Sequence, residues 1–176
     1  MRDFSKEQEK RMMKMLDAKE RRFYKIKKLI EKNHLPVLSF MLNIPGEEKN
    51  FNDAVDFHLY NIEKIKKILE ENKIQIIEES YKNIETGMEY ICQFNCDANF
   101  VKKLMVKYEE SEKINRILDI DIYNEDFKQI SRSNLGLGER KCFICDKKAR
   151  ACIKDETHSP EELEEFVRNQ LNCHRK

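Results

Sequence analysis

The stretch 118–123 alternates strictly between apolar and polar side chains, and this alternation is the strongest constraint on the fold. Its three aliphatic residues take one face of a strand, whereas Asp119 and Asp121 take the other. Because a strand rises ~3.3 Å per residue, the two aspartates lie roughly 6–7 Å apart at the backbone. Carboxylates at this spacing suit a hard divalent cation such as Mg²⁺ that also binds phosphate oxygens. An ordinary half-exposed strand with acidic outward positions fits the same pattern, so spacing alone leaves the function open.

The remaining patterns predict an α+β fold. Residues 5–32 contain no Gly or Pro and carry helically spaced apolar residues, which indicates one long helix capped by Ser5, or two with a break near Asp17. Later segments are, in order, a strand at 37–43, a helix from Asn52, strands at 74–79 and 88–94, a helix from Asp97, the acidic strand, and a partner strand at 127–132. This order predicts a mixed or antiparallel sheet with a ferredoxin-like split βαβ core, covered by helices on one face.

A chain of 176 residues is expected to form one compact domain with three segments. These are an N-terminal helical segment (1–35), an α+β catalytic core (36–132), and a small Cys-rich appendage with a final helix (133–176). Ser159 and Pro160 supply the cap and the first residue of that last helix.

Composition and termini predict a cytoplasmic protein without a membrane segment. Hydrophobic residues make up 40% of the chain and charged residues 38%, which is typical of a globular protein. The first residues lack the apolar core of a signal peptide, and the longest apolar run, 35–44, is too short to cross a bilayer.

Charge is distributed unevenly along the chain. Residues 1–35 carry a net charge of +6, residues 47–126 a net charge of −8, and residues 132–150 a net charge of +4. Basic segments around an acidic middle suit a bound polyanion together with a metal ion. For the N-terminal segment, solvation of a long helix explains the charge equally well.

Four residues of the C-terminal segment have the spacing of a metal site. Cys142, Cys145, Cys152 and His158 form the pattern C-x2-C-x6-C-x5-H. Thiolates and an imidazole at such spacing can close a structural Zn²⁺ site, and cysteines of a cytoplasmic chain are expected to be reduced. The alternative is a group of small, half-buried thiols beside an ordinary loop histidine.

Several motifs, taken in order, resemble one family over residues 16–171. They are Leu16-Asp17-Ala18-Lys19-Glu20-Arg21-Arg22, Asn43-Ile44-Pro45-Gly46 with Lys49, Arg116-Ile117-Leu118-Asp119-Ile120-Asp121-Ile122, Ile130-Ser131-Arg132, and Arg140-Lys141-Cys142 followed by Cys145, Cys152 and His158-Ser159. The chain resembles the citrate lyase holo-acyl-carrier-protein synthases. It departs from them before the acidic strand, where Glu112-Lys113-Ile114-Asn115 replaces a His-Pro-Leu-Gly approach.

The resemblance implies a nucleotidyltransferase-type enzyme. Such an enzyme moves phosphoribosyl-dephospho-CoA from triphosphoribosyl-dephospho-CoA to a serine of the apo-acyl carrier protein of citrate lyase and releases pyrophosphate. On this hypothesis Asp119 and Asp121 hold Mg²⁺, and Arg116 and Arg132 contact the triphosphate. Lys49, Arg140 and Lys141 are further candidates for binding the donor.

Two other hypotheses remain open at this point. One is a non-enzymatic zinc-knuckle module that binds an acidic partner or RNA, although no nucleic acid is expected as the partner of the enzyme. The other is a nucleotidyltransferase of the same fold that acts on a different acceptor.

Overall fold

A computed structural model describes residues 6–174, in which four antiparallel strands form one sheet. The elements are α1 (Lys6–Asn33), β1 (Val37–Leu42), α2 (Asn52–Glu71), β2 (Ile76–Ile84), β3 (Gly87–Phe94), α3 (Ala98–Glu109), β4 (Leu118–Tyr123), α4 (Ala149–Lys154) and α5 (Pro160–His174), with short 3₁₀ turns at Ile114–Ile117 and Ser133–Leu135. The strand order is β2-β3-β1-β4, so β3 lies between the two strands of a split βαβ unit. The predicted ferredoxin-like α+β fold is confirmed.

The N-terminal helix is continuous, with no break near Asp17. Its end comes at His34, which takes a left-handed backbone conformation with φ 51°. The predicted cap, Ser5, lies outside the described residues. Despite its length of 28 residues, α1 is strongly charged, and none of the described helices combines the length and apolar character needed to cross a bilayer.

Helices cover both faces of the sheet, so the expectation of one covered face is wrong. The main core lies between one face and α2, α3 and α5, and includes the three aliphatic residues of β4. On the other face, Ile26 and Ile30 of α1 pack with Val37 and Ile91. The long helix therefore shares its face of the sheet with the outward-pointing residues of β4.

The predicted partner strand at 127–132 is also wrong, since that segment makes only one bridge, from Tyr123 to Gln129. The side-chain oxygen of Asn124 accepts hydrogen bonds from two following amides, which tightens the turn. Phe127 then takes a φ of 62°, which is incompatible with a strand. Side chains of α3 occupy the edge of β4 at Ile120, so a fifth strand could not pair along its full length.

The final helix is fixed to the core at several points. As predicted, Ser159 caps it, accepting a hydrogen bond from the Glu162 amide while the Glu162 carboxylate accepts one from the Ser159 amide. Arg168 ion-pairs with Glu48 at 2.9 Å. Gly46 lies in the loop after β1 that also carries Glu48, and it has a φ of 79°. A β-carbon at this position would collide with the carboxylate of Glu164 in α5.

A buried histidine gives the stability of this core a pH dependence. His58 of α2 stacks on Phe40, with ring centroids 4.3 Å apart, and burial lowers its pKa to about 4. The folded protein therefore binds fewer protons here than the unfolded chain does. We expect the free energy of unfolding to fall by up to about 3 kcal/mol as pH drops from about 6.5 toward 4.

Replacement of His58 by Leu should remove this pH-dependent loss, because the variant has no proton to take up on unfolding. Urea denaturation at several pH values measures the effect, and exposed His34→Asn is the control. A His58→Leu profile as steep as that of the wild type would contradict the assignment.

Candidate active site on the edge strand

Asp119 and Asp121 project from β4 on the face that α1 partly covers. Met41 of β1 lies opposite Asp119, and Ser39 lies opposite Asp121. Gln129 donates a hydrogen bond of 2.7 Å to Asp121, which fixes the orientation of that carboxylate. The alternation of buried and half-buried residues along β4 is the one that the sequence predicts.

The outer edge of β4 is capped by side chains from α3. Lys102 donates a hydrogen bond of 2.5 Å to the carbonyl of Ile120, and Glu109 accepts one of 3.3 Å from the amide of the same residue. Both side chains are buried. The backbone between the two aspartates is therefore held on both sides, by β1 and by α3.

Two arginines converge on the buried Glu109 carboxylate. Arg132 ion-pairs with Glu109 and, at 2.5 Å, with Glu110. Arg140 lies 3.4 Å from Glu109 and 3.1 Å from Asp119. Arg132 is thus bound to the edge of the sheet through Glu109, and Arg140 connects the same carboxylate to the aspartate pair.

The electrostatics of the site favour a bound cation near the aspartates. Burial raises the pKa of Asp121, and the nearby charge of Asp119 raises it further, against the opposing effect of Lys102. Burial lowers the pKa of Lys102, while Glu109 and Asp121 act in the opposite direction. The two carboxylates therefore repel each other despite the cations around them, and an additional cation would relieve this repulsion.

A cleft of about 390 Å³ opens beside this edge. Its lining residues come from the end of α3, the 3₁₀ turn before β4, and the two loops after β4: Glu109, Glu110, Arg116, Arg132, Gly138, Glu139, Arg140 and Lys141. Four predicted site residues, all basic, are therefore brought together here. The cleft has the size of a small-molecule site and the donors that phosphate oxygens need.

Arg116 lines this cleft, but its guanidinium holds the cysteine turn. It donates to the carbonyls of Cys142 at 3.0 Å and Cys145 at 3.2 Å, and it ion-pairs with Asp146 at 2.8 Å. Its donors are thus used within the protein. The residue before it, Asn115, hydrogen-bonds the Tyr108 carbonyl and has no left-handed backbone, so glycine is not needed there.

The cysteine turn brings its four predicted ligands together. The ligand atoms of Cys142, Cys145, Cys152 and His158 all lie within 4.8 Å of one another. Two sulfurs in a tetrahedral zinc site are roughly 3.7 Å apart, and the Cys145 and Cys152 sulfurs lie 3.4 Å apart. The hydrogen bond from His158 lowers the pKa of Cys145 to about 6, which favours the thiolate that metals bind. These residues can hold a metal ion.

Lys49 lies outside the cleft. Its ammonium group donates to the Ile44 carbonyl within the loop after β1, and burial lowers its pKa while Glu164 of α5 acts in the opposite direction. Its contacts in the described structure therefore support the loop.

Three residues of the site were missed by sequence reasoning: Lys102, Glu109 and Gln129. Glu109 lies at the point where the helical spacing of apolar residues in α3 gives way to a polar run, so the sequence predicts a solvent-exposed residue at the end of a helix. Its partners Arg132 and Arg140 are more than 20 residues away. Only the pairing of β4 with β1, which places Ile120 beside α3, reveals its role.

Fold and site together define the class: an α+β protein with a carboxylate pair and an arginine-lined cleft at one edge of a split βαβ sheet. Residues 10–174 match the family described as apo-citrate lyase phosphoribosyl-dephospho-CoA transferase, and the chain belongs to this CitX family.

Relatives with known names agree with this family. The chain is 34% identical over 152 residues to protein CitXG of Leuconostoc mesenteroides subsp. cremoris, covering 84% of the chain and 32% of the relative. It is 27% identical to protein CitXG of Haemophilus influenzae, over 91% of the chain and 34% of that relative. A probable apo-citrate lyase phosphoribosyl-dephospho-CoA transferase of Streptococcus pyogenes serotype M18 is 30% identical, over 77% of the chain and 71% of the relative. The chain thus spans about a third of the length of the two CitXG proteins.

The contacts of Arg116 predict that it orders the cysteine turn. We expect Arg116→Ala to raise amide hydrogen exchange in residues 139–158 by about tenfold or more, since three hydrogen bonds from a charged donor are lost. Arg116→Lys should restore only part of the protection, because an ammonium cannot span both carbonyls and Asp146. Exposed Arg150→Ala, within the same segment, is the control. Unchanged exchange in Arg116→Ala would contradict the role.

Proposed function

We propose that this protein transfers phosphoribosyl-dephospho-CoA from triphosphoribosyl-dephospho-CoA to a serine of the apo-acyl carrier protein of citrate lyase. The observation that carries the proposal is the cleft in which Arg132 and Arg140 lie beside the Asp119–Asp121 pair. This arrangement suits a triphosphate that must be bound, neutralised and cleaved. Membership of the CitX family supports this choice of donor and acceptor.

The reaction replaces a phosphoanhydride bond of the donor with a phosphodiester bond to the serine. The serine oxygen bonds to the innermost phosphorus of the triphosphate, the bond from that phosphorus to the bridging oxygen breaks, and pyrophosphate leaves. The hydroxyl proton passes to a base or to solvent. Negative charge grows on the departing oxygens, and Arg132 and Arg140 are placed to neutralise it.

The aspartate pair fits a hard divalent cation. Asp119 and Asp121 offer carboxylate oxygens, burial and mutual repulsion raise the pKa of Asp121, and hard cations prefer such ligands. We propose Mg²⁺ here, which when bound supplies charge to polarise the phosphate oxygens. Asp119 pairs with Arg140 at 3.1 Å. Neutralisation of Asp119 by a cation would weaken this pair and allow the Arg140 guanidinium to contact the donor.

The cysteine turn has a structural part in the proposal. We propose that Cys142, Cys145, Cys152 and His158 hold Zn²⁺, whose preferred ligands are thiolate and imidazole. Such a site fixes the segment in which Arg140 and Lys141 lie. All six cysteines are free, which suits the reducing cytoplasm that we propose as the location.

A module for binding RNA is a weaker proposal. The open face of β4 carries Asp119 and Asp121, which repel a phosphate backbone in the absence of a metal. Recognition of single-stranded RNA on a sheet usually relies on exposed aromatic residues at such positions.

Removal of either aspartate charge should abolish transfer. We expect Asp119→Asn and Asp121→Asn each to lower kcat by roughly a thousandfold, because charge stabilisation by a bound metal is worth several kcal/mol. Mass spectrometry of the apo-carrier protein, incubated with enzyme, donor and Mg²⁺, measures the product. Asp126→Asn, in the exposed turn after β4, is the matched control. Residual activity above about a tenth of the wild type at saturating Mg²⁺ would show that the pair does not hold the catalytic metal.

The zinc proposal is tested independently of activity. Protein purified without chelator should contain about one equivalent of zinc, and Cys142→Ser or Cys145→Ser should lose it together with order in residues 139–158. Exposed Cys173→Ser should keep the metal. Metal-free protein with an ordered segment and full activity would leave the four residues with a packing role only.

A further inference from the structure

One side of α1 carries a row of apolar residues that is buried toward the C-terminal end of the helix and exposed toward its N-terminal end. Ile26 and Ile30 are buried, with 2% and 4% of their surfaces exposed. Helical spacing places Met12, Leu16 and Phe23 on the same face, yet these are 49%, 52% and 47% exposed. Phe23 packs edge-on against Phe127, with ring centroids 4.9 Å apart, yet about half of its surface stays exposed. Together with Met12 and Leu16 it forms an exposed apolar row of the kind that protein partners cover.

The half of α1 that carries the exposed row lies beside the aspartate pair. Arg21 and Arg22 ion-pair with Glu89 of β3 at 3.1 and 2.9 Å, which fixes the helix over that strand. Tyr90, the residue after Glu89, pairs with Phe40 of β1, and Phe40 in turn pairs with Ile120 of β4. Ile120 is the residue between the two aspartates. Residues 12–23 therefore lie at the level of Asp119 and beyond it, on the same face of the sheet.

The donor cleft lies on the other side of the aspartates. Arg132 and Arg140 are at the outer edge of β4, whereas α1 contacts β3 and β2. Since β4 is the edge strand, the aspartates stand between the cleft and the exposed helix face. A molecule seated on α1 would reach the bound donor across the aspartate pair.

The helix that carries this row is basic as a whole. The helix carries 11 Lys and Arg against 5 Asp and Glu, a net charge of +6. Lys19 projects from the middle of the apolar row, between Leu16 and Phe23, and it pairs with no carboxylate within residues 6–174. An apolar row with an unpaired cation at its centre is complementary to a protein surface of acidic residues around an apolar patch.

We infer that the exposed face of α1, formed by Met12, Leu16, Lys19 and Phe23, is the docking surface for the acyl carrier protein that accepts the group. This inference rests on the proposed function. The bound carrier presents an acidic surface with an apolar patch to α1 and directs its serine toward Asp119 and Asp121. Docking there leaves the donor cleft accessible, as a reaction with two substrates requires.

The test compares two leucines that lie mid-helix on opposite faces of the sheet. Leu16→Glu introduces a charge into the docking surface, and Leu59→Glu introduces the same charge on exposed α2. We expect Leu16→Glu to raise the KM for apo-carrier protein by about tenfold or more. Lys19→Glu should raise this KM by a similar factor and should also remove the dependence of the KM on salt concentration. The KM for the donor should change by less than about twofold in both, and Leu59→Glu should match the wild type in every constant. Lys19 is exposed, so its variant keeps the test valid if Leu16→Glu fails to fold.

Binding of fluorescently labelled apo-carrier protein, followed by anisotropy, separates this inference from the proposed function. If the wild type binds the carrier but transfers nothing, the proposed function fails, and loss of binding in both α1 variants still supports the docking surface. Unchanged carrier binding in Lys19→Glu and Leu16→Glu overturns the inference, as does absence of binding to the wild type. A wild-type dimer that becomes a monomer in Leu16→Glu would also overturn it, because a second copy of the chain would then cover the face.

Discussion

Glu109 ends α3 with its carboxylate buried against the edge of the sheet, where it accepts a hydrogen bond from the Ile120 amide and ion-pairs with Arg132 and Arg140. A buried carboxylate is stable only when such partners satisfy it, and removal of one partner of a buried pair typically costs about 3–5 kcal/mol. The loop that carries Arg132 also contacts the sheet through the Tyr123–Gln129 bridge and the Gln129–Asp121 hydrogen bond, but Glu109 is the carboxylate that binds both arginines. The position of the two guanidiniums relative to each other therefore depends on this one carboxylate.

The same carboxylate holds both arginines at the cleft. Arg132 also pairs with Glu110 and Arg140 with Asp119, so an anion in the cleft must replace one of these carboxylates as a partner of each guanidinium. Arg140 also contacts Asp119, which links the cleft to the aspartate pair. Anion binding in the cleft and cation binding at the aspartates are thus expected to favour each other, since each frees or neutralises the residue that the other needs.

Local chemistry made much of the fold predictable from sequence. The alternation at 118–123, the Asp97 cap, whose carboxylate accepts from the Phe100 amide at 2.8 Å, and the capping box at Ser159 each act within a few residues. The predictions that failed needed long-range information. The segment 127–132 has strand-like composition, but side chains of α3 occupy the edge of β4 at Ile120, and the segment pairs only with the end of the strand, where the Ile130 amide donates to the Ile122 carbonyl at 2.8 Å.

In the candidate site, too, the local features were predictable from the sequence and the long-range contacts were not. The spacing of the cysteines and of the aspartates is local, and the structure brings each set together. Arg116 was proposed for the triphosphate because it precedes the acidic strand, yet its main contacts are carbonyls nearly 30 residues further on. Glu109 could not be found at all, since its role arises from strand pairing and loop closure.

The capped edge of β4 has a consequence for assembly. An edge strand normally offers a ladder of unpaired amides and carbonyls, to which another chain can add a strand. Here the central amide and carbonyl of that ladder are occupied by Glu109 and Lys102. The sheet is thereby closed to extension at the side where the site lies, because two side chains of α3 take the positions with which the backbone of an added strand would pair.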